Sequence, residues 1–270
     1  MAFAFEKRLV CREAWELRMR LFLVFATAVM VVALSGALGG CGGSGLAAYK
    51  QYHLGQAEPA IASAVEFMGG VNAWKRVSRV RADAVMTVYD DRGQAYVNSQ
   101  RHDIDINGGK LTISAATTQE SWRATYTRGG GFSLSDASAL GRMTPGRLKD
   151  AMSVLSHRLA GPLNLLGGSE KPGAVTRLTI DGKDLVRVAA VAKRPRATAY
   201  YFDANAGGLE MVTAGSEQPG GDGTVTLYTY QMLPSGMVFP KTVRVVRTGQ
   251  NVLVGQSAVM EVEYSNVRID

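Results

Sequence analysis

Arg79-Val80-Arg81-Ala82-Asp83-Ala84-Val85-Met86-Thr87-Val88 is the stretch on which the fold turns. Val80, Ala82, Ala84, Met86 and Val88 alternate with Arg79, Arg81, Asp83, Val85 and Thr87. A period of two sends one set to a buried face and the other to a wetter one, which predicts a half-buried strand. Just upstream the period is helical. Pro59 suits a first helical turn, Ile61, Val65 and Met68 then share one face, and Gly69-Gly70 stops the run. A second short turn over 72–77 carries Trp74, expected to pack on that helix.

Downstream, strands succeed one another through turns of Gly, Asn and Asp. Asp90 to Gly93 closes a hairpin, and Asn107-Gly108-Gly109 joins a strand holding Ile104 and Ile106 to one holding Leu111 and Ile113. Trp122, Ala124 and Tyr126 share the inward face of the next strand, which ends at Gly129-Gly130-Gly131. After Gly173 strands are predicted over 175–180, 185–191, 197–202, 209–213, 224–231, 238–246, 252–256 and 259–267. About eleven strands in one chain predict a mainly β domain with some α, built as a large curved antiparallel sheet or incomplete barrel, because curling limits bare edges.

One helix interrupts the strands. Thr144-Pro145 reads as a cap and first helical residue; Leu148, Met152, Leu155 and Leu159 then fall on one face, and Gly161-Pro162 ends the run. This is an amphipathic helix of about four turns, and its leucine face is expected to lie against one face of the sheet. Leu163, Leu165 and Leu166 beyond it read as an exposed apolar tip. A membrane-embedded barrel is disfavoured, since Arg79, Arg81, Arg177, Arg187, Arg244 and Glu263 would face lipid or crowd the lumen.

The amino-terminal segment supplies an address. Arg18 and Arg20 precede an uncharged apolar stretch from Leu21 to Leu38, and Leu38-Gly39-Gly40-Cys41 closes it. That ending resembles the lipobox of a bacterial lipoprotein signal peptide, which implies a diacylglycerol on the Cys41 sulfur and cleavage just before it. The competing reading is a plain spanning anchor, for which the stretch is just long enough. The expected organisation is therefore a signal peptide over 1–40, a flexible tether over 41–58 rich in glycine at its start, and a folded domain over 59–270. Gly42 rather than Asp after the lipidated cysteine points to the outer membrane, with the domain facing the periplasm.

Composition narrows the function classes. The net charge is +7, with Lys7, Arg8, Arg12, Arg18 and Arg20 outweighing Glu6, Glu13 and Glu16 in the leader, so the exported part carries a modest excess. The densest basic cluster, Lys193-Arg194-Pro195-Arg196, is short and broken by proline, and no nucleic-acid partner is expected. Cys11 and Cys41 are the two cysteines, so the exported domain holds no disulfide and no thiolate metal site. The best catalytic candidate is His102-Asp103-Ile104-Asp105, but alternation puts His102 and Asp103 on opposite faces, and the group reads as a solvated strand end. With no nucleophile elbow, zinc motif or phosphate loop, the expectation is a non-enzyme with no cofactor and no metal.

The order of elements resembles the LolA/LolB-like superfamily of periplasmic lipoprotein carriers and outer-membrane lipoproteins. The words that carry the resemblance are Phe67-Met68-Gly69-Gly70 with Trp74 and Val77; Tyr201-Phe202-Asp203 with Gly207-Gly208-Leu209; Gly236-Met237-Val238-Phe239-Pro240-Lys241; and Val262-Glu263-Tyr264-Ser265-Asn266-Val267. The resemblance implies a half-barrel whose apolar concave face holds acyl chains of lipids or lipoproteins under a helical lid, with no catalytic residues. Trp122, Tyr126, Leu148, Met152, Leu155 and Leu159 are then candidate cavity lining; the competing reading makes them permanent core. Expected partners are the membrane, through the Cys41 anchor, and lipid or lipoprotein acyl chains. The alternative is a sensor or docking module for an envelope protein.

Overall fold

The computed structural model describes residues 58–90, 92–106, 108–115, 122–141, 143–159, 171–191, 197–215, 223–248 and 258–270. Two short helices lead, α1 (Glu58–Phe67) and α2 (Val71–Trp74), followed by β1 (Arg79–Tyr89), β2 (Ala95–Asp105), β3 (Lys110–Ala115), β4 (Arg123–Thr127) and β5 (Phe132–Leu134). A 3₁₀ turn (Ser138–Leu140) introduces α3 (Pro145–Arg158). The second run comprises β6 (Lys171–Ile180), β7 (Lys183–Val191), β8 (Ala197–Asp203), β9 (Leu209–Gly215), β10 (Gly223–Met232), β11 (Val238–Thr248) and β12 (Ala258–Ile269).

All twelve strands form one sheet in the order β5-β4-β3-β2-β1-β12-β11-β10-β9-β8-β7-β6. The chain enters at the middle, meanders out to β5, crosses by way of α3 to the far edge at β6, and meanders back until β12 pairs antiparallel with β1. The end strands β5 and β6 do not pair with each other, so the sheet is an open half-barrel. Both edges are blunted. β5 is only three residues long, and β6 starts with Lys171-Pro172 and a register shift before Val175.

The alternation in β1 comes out as read. Val80, Ala82, Ala84, Met86 and Val88 are buried, while Arg79, Arg81 and Val85 are exposed. Together with the inward residues of the other strands and the apolar faces of α1 and α3, they build one continuous core. β5 escaped the sequence reading because three residues are too few to establish a period. The predicted strand over 252–256 lies outside the described residues.

Three of the four sequence words behind the family resemblance meet at one place. The Met68 carbonyl, just after α1, accepts from Trp74 Nε1 at 2.9 Å and from the Val238 backbone N–H at 3.2 Å. Gly69, at φ +105°, packs against Met237, and Phe67 meets Tyr230 edge to face at 5.2 Å. The β8–β9 turn comes equally close. A side chain at Gly207 would collide with Ser63, and one at Gly208 would press on the Phe67 ring at 3.2 Å. Asp203 shapes that turn by accepting from the Asn205 and Ala206 backbone N–H groups, both at 2.8 Å. These contacts fasten α1 to the β8–β9 and β10–β11 hairpins.

A smaller apolar cluster occupies the opposite face of the second half of the sheet: Leu185, Ala199, Tyr201, Met211 and Val225, with Leu178, Ile180, Leu227 and Val246 against it. The strands there are apolar on both faces, which single-face alternation does not anticipate.

Candidate functional site

The helix that interrupts the meander begins as its sequence dictates. The Thr144 side chain accepts from the Arg147 backbone N–H at 3.3 Å, Pro145 fills the first turn, and His157 and Arg158 lie in the last, where the carbonyl end of the helix favours positive charge. Leu148, Met152 and Leu155 are completely buried and Leu159 nearly so, as predicted, and Ala151 joins them. At about 1.5–3 kcal/mol for each fully buried large side chain, this face dominates the helix's attachment.

The apolar face lies against β3 and β4. Trp122 and Tyr126 are buried in the same core as the α3 residues, so all six candidate lining residues come together. Polar contacts fasten the helix as well. Ser153 Oγ and Tyr126 Oη are 2.9 Å apart; Arg147 donates to the Tyr89 carbonyl at 3.2 Å, Arg128 to the Ser156 carbonyl at 3.4 Å, and Tyr228 Oη to the Arg158 carbonyl at 3.3 Å. Burial raises the Tyr228 phenol above its usual range, so it stays a donor at any ordinary pH.

The inward face of β2 departs from this apolar lining. Gln100 and His102 point into the core and are essentially inaccessible, at 0% and 1% exposed. The expectation that His102 sits on a solvated strand end is therefore wrong. Alternation was right that it faces away from Asp103, but the face it occupies is the buried one, and Asp103 is the outward residue, 2.6 Å from Arg79. Burial pulls the imidazole from 6.5 down to about 3, so it is neutral at physiological pH. One ring nitrogen lies 3.2 Å from Tyr264 Oη and the other 2.8 Å from Gln100 Oε1. The amide oxygen can only accept, so Nε2 donates to it and Nδ1 accepts from Tyr264. Nothing in the sequence beyond the parity of β2 could have flagged this chain.

The outward face of the same strands carries a polar groove of about 640 Å³ lined by Arg81, Arg101, Arg123, Arg268, Asp83 and Asp103, among others. Arg81 lies directly across from Arg268 in the β1–β12 register, a like-charge pairing that is unfavourable by itself. Asp270 offsets it with a 2.9 Å contact to Arg81. Among the described residues, no three His, Cys, Asp or Glu side chains gather as a metal site. Cys41, the basic cluster 193–196 and Leu163, Leu165 and Leu166 lie outside the described residues.

No protein-family model matches the chain, and no curated protein does. Among solved structures, the chain is similar to a LolA superfamily protein from Nitrosomonas europaea at 9% identity, covering 79% of this chain and 93% of that one with a TM-score of 0.48. It is also similar to a putative outer membrane lipoprotein-sorting protein domain from Vibrio parahaemolyticus, at 8% identity, 80% and 94% coverage and a TM-score of 0.47. A DUF1329 family protein from Desulfovibrio piger shares 11% identity, with 79% and 93% coverage and a TM-score of 0.47. The architecture itself is an unclosed antiparallel sheet with helices on its inner face, as the order of elements led one to expect.

Proposed function

We propose that this chain is a lipoprotein of the bacterial envelope, anchored through lipid on Cys41, that binds an acyl chain of a lipid or lipoprotein between α3 and the inner face of the half-barrel. The single observation that supports the reading most is the construction of α3. Its hold on the sheet is centred on an apolar seam of Leu148, Met152, Leu155 and Leu159 over Trp122 and Tyr126. An acyl chain is chemically interchangeable with that seam. Each methylene taken from water returns roughly 0.8 kcal/mol, so a chain entering beside α3 offsets the contacts it displaces. The open edges between β5 and β6 leave the half-barrel free to widen. Binding of this kind needs no catalytic group, and the protein is read as a carrier or holder of lipid, on the outer membrane and facing the periplasm.

The test uses the full chain in phospholipid vesicles that contain a phospholipid with a diazirine in its acyl chain. After irradiation, peptides bearing lipid are mapped by mass spectrometry. Label on 148–159 and on 122–126 is expected; label confined to residues 1–57 would defeat the reading.

A second reading has its own support. The arginine-lined outer groove suits an acidic protein surface, and a sensor or docking module would use it in place of the interior. Charge reversal of Arg123 and Arg268 that abolishes a cross-linked complex in cells, with the interior unlabelled, would favour that alternative.

A further inference from the structure

The inner face of the half-barrel is largely apolar, and one row across it carries the buried Gln100 amide. Reading across the strands, Tyr264 on β12 faces Ala84 on β1, Ala84 faces Gln100 on β2, and Gln100 faces Ala115 on β3. The Ala115 backbone N–H donates to the Trp122 carbonyl at 3.2 Å, so Trp122 completes the row just before β4. The buried Gln100 amide is thus flanked on both sides by alanine, the smallest side chain that keeps a strand regular.

Two donors on this row are left over. The hydrogen bonds run in one direction, from Tyr264 to His102 and from His102 to Gln100 Oε1, and consume the acceptor of the Gln100 amide. Its Nε2 has no partner among the described residues, and neither does Trp122 Nε1, although Trp122 is only 1% exposed. A buried donor without an acceptor is unfavourable, and folded proteins seldom tolerate one, still less two on one row across a small residue. Apolar residues would pack this position without that penalty. Both N–H groups are buried, and Trp122 belongs to the same core as the α3 seam.

We propose that Gln100 Nε2 and Trp122 Nε1 receive the carbonyl oxygen of an ester- or amide-linked acyl group, fixing the polar end of the chain whose hydrocarbon lies along the α3 seam. The proposal rests on the acyl-binding reading above and adds to it a head-group preference. Both donors are neutral and no cation stands on the row, so a neutral carbonyl suits the position and an ionised carboxylate would be buried without a counter-charge. Acyl esters and amides are selected over free fatty acids and over plain hydrocarbon.

The experiment competes the vesicle photolabelling of residues 148–159 with methyl decanoate, with dodecane and with decanoate at neutral pH. Methyl decanoate is expected to compete about tenfold better than dodecane, the difference one well-made buried hydrogen bond supports. Decanoate is expected to fall behind the ester. Gln100→Met and Trp122→Phe are each expected to erase the ester's advantage over dodecane. Trp74→Phe, whose indole already donates to Met68, is expected to leave it intact. Trp122→Phe removes only the donor and keeps an aromatic ring in the core, so it decides the matter should Gln100→Met fail to fold. Equal potency of ester and hydrocarbon on the wild-type chain, or an advantage that survives Trp122→Phe, would overturn the proposal and leave acyl binding standing. Absence of any labelling at 148–159 would overturn both.

Discussion

The imidazole of His102 and the phenol of Tyr264 meet inside the half-barrel, with Nδ1 3.2 Å from Oη and the rings edge to face at 5.4 Å. The pair joins β2 to β12 across β1 and is closed to solvent. Because desolvation lowers the histidine from 6.5 to about 3, the unfolded chain takes up a proton below pH 6.5 that the folded chain refuses until near pH 3. The contribution is therefore fully present above pH 6.5 and shrinks as pH falls through that window. Between pH 7 and pH 5 the loss amounts to about 2 kcal/mol. Urea denaturation at several pH values should show this slope in the wild-type chain and a flatter one in His102→Leu, whatever the variant's absolute stability. Parallel slopes would show that the imidazole is not held neutral.

The α3 seam makes a simpler claim. Leu155 is completely buried against the sheet, so Leu155→Ala removes packed methyl groups and leaves a cavity, at an expected loss of about 2–5 kcal/mol. Val97, 65% exposed on β2, provides the comparison, and Val97→Ala should stay within about 0.5 kcal/mol of wild type. Thermal or denaturant midpoints of the two variants decide it. Similar midpoints would mean that α3 is not seated on the core.

The fastening of α1 is tested by two glycines in like conformations. Gly207 and Gly236 have φ of +79° and +78°, so alanine is strained at either by about 1 kcal/mol. At Gly236 a Cβ meets nothing, whereas at Gly207 it would lie 2.8 Å from the Ser63 carbonyl oxygen and closer still to the Ser63 hydroxyl. Gly207→Ala should therefore be the more damaging by at least another 1 kcal/mol, since the backbone of α1 must retreat. Equal effects in a melting comparison would remove the α1–hairpin contact from the account.

These cases show where the sequence was legible. β1 and α3 could be read because each has one buried face and enough residues to display a period, and their apolar positions recur in the core. The turn words 67–70, 207–209 and 236–241 could be recognised before their purpose was visible; what unites them is the docking of α1, a contact between segments far apart in the chain. β2 was the misleading strand. Its inward positions hold Gln100 and His102, so polarity signalled solvent where parity signalled core, and parity was right. The outer cluster of Leu185, Tyr201 and Met211 was invisible for the opposite reason, because strands apolar on both faces show no alternation.

The anchor proposed at Cys41 gives the last expectation. A thioether to diacylglycerol requires the cysteine sulfur, and cleavage of the signal peptide follows lipidation, so Cys41→Ser removes both steps at once. Intact-mass spectrometry of the wild-type protein from membranes is expected to show a chain beginning at Cys41 and carrying the lipid. The serine variant should keep residues 1–40 and carry none. A plain spanning anchor predicts a different pattern, in which the wild-type chain retains residues 1–40 and the substitution changes only the mass of one side chain. A wild-type mass that includes the leader, or a serine variant trimmed at the same point, would move the protein from the lipid-anchored class to the membrane-spanning one and leave the half-barrel's interior chemistry untouched.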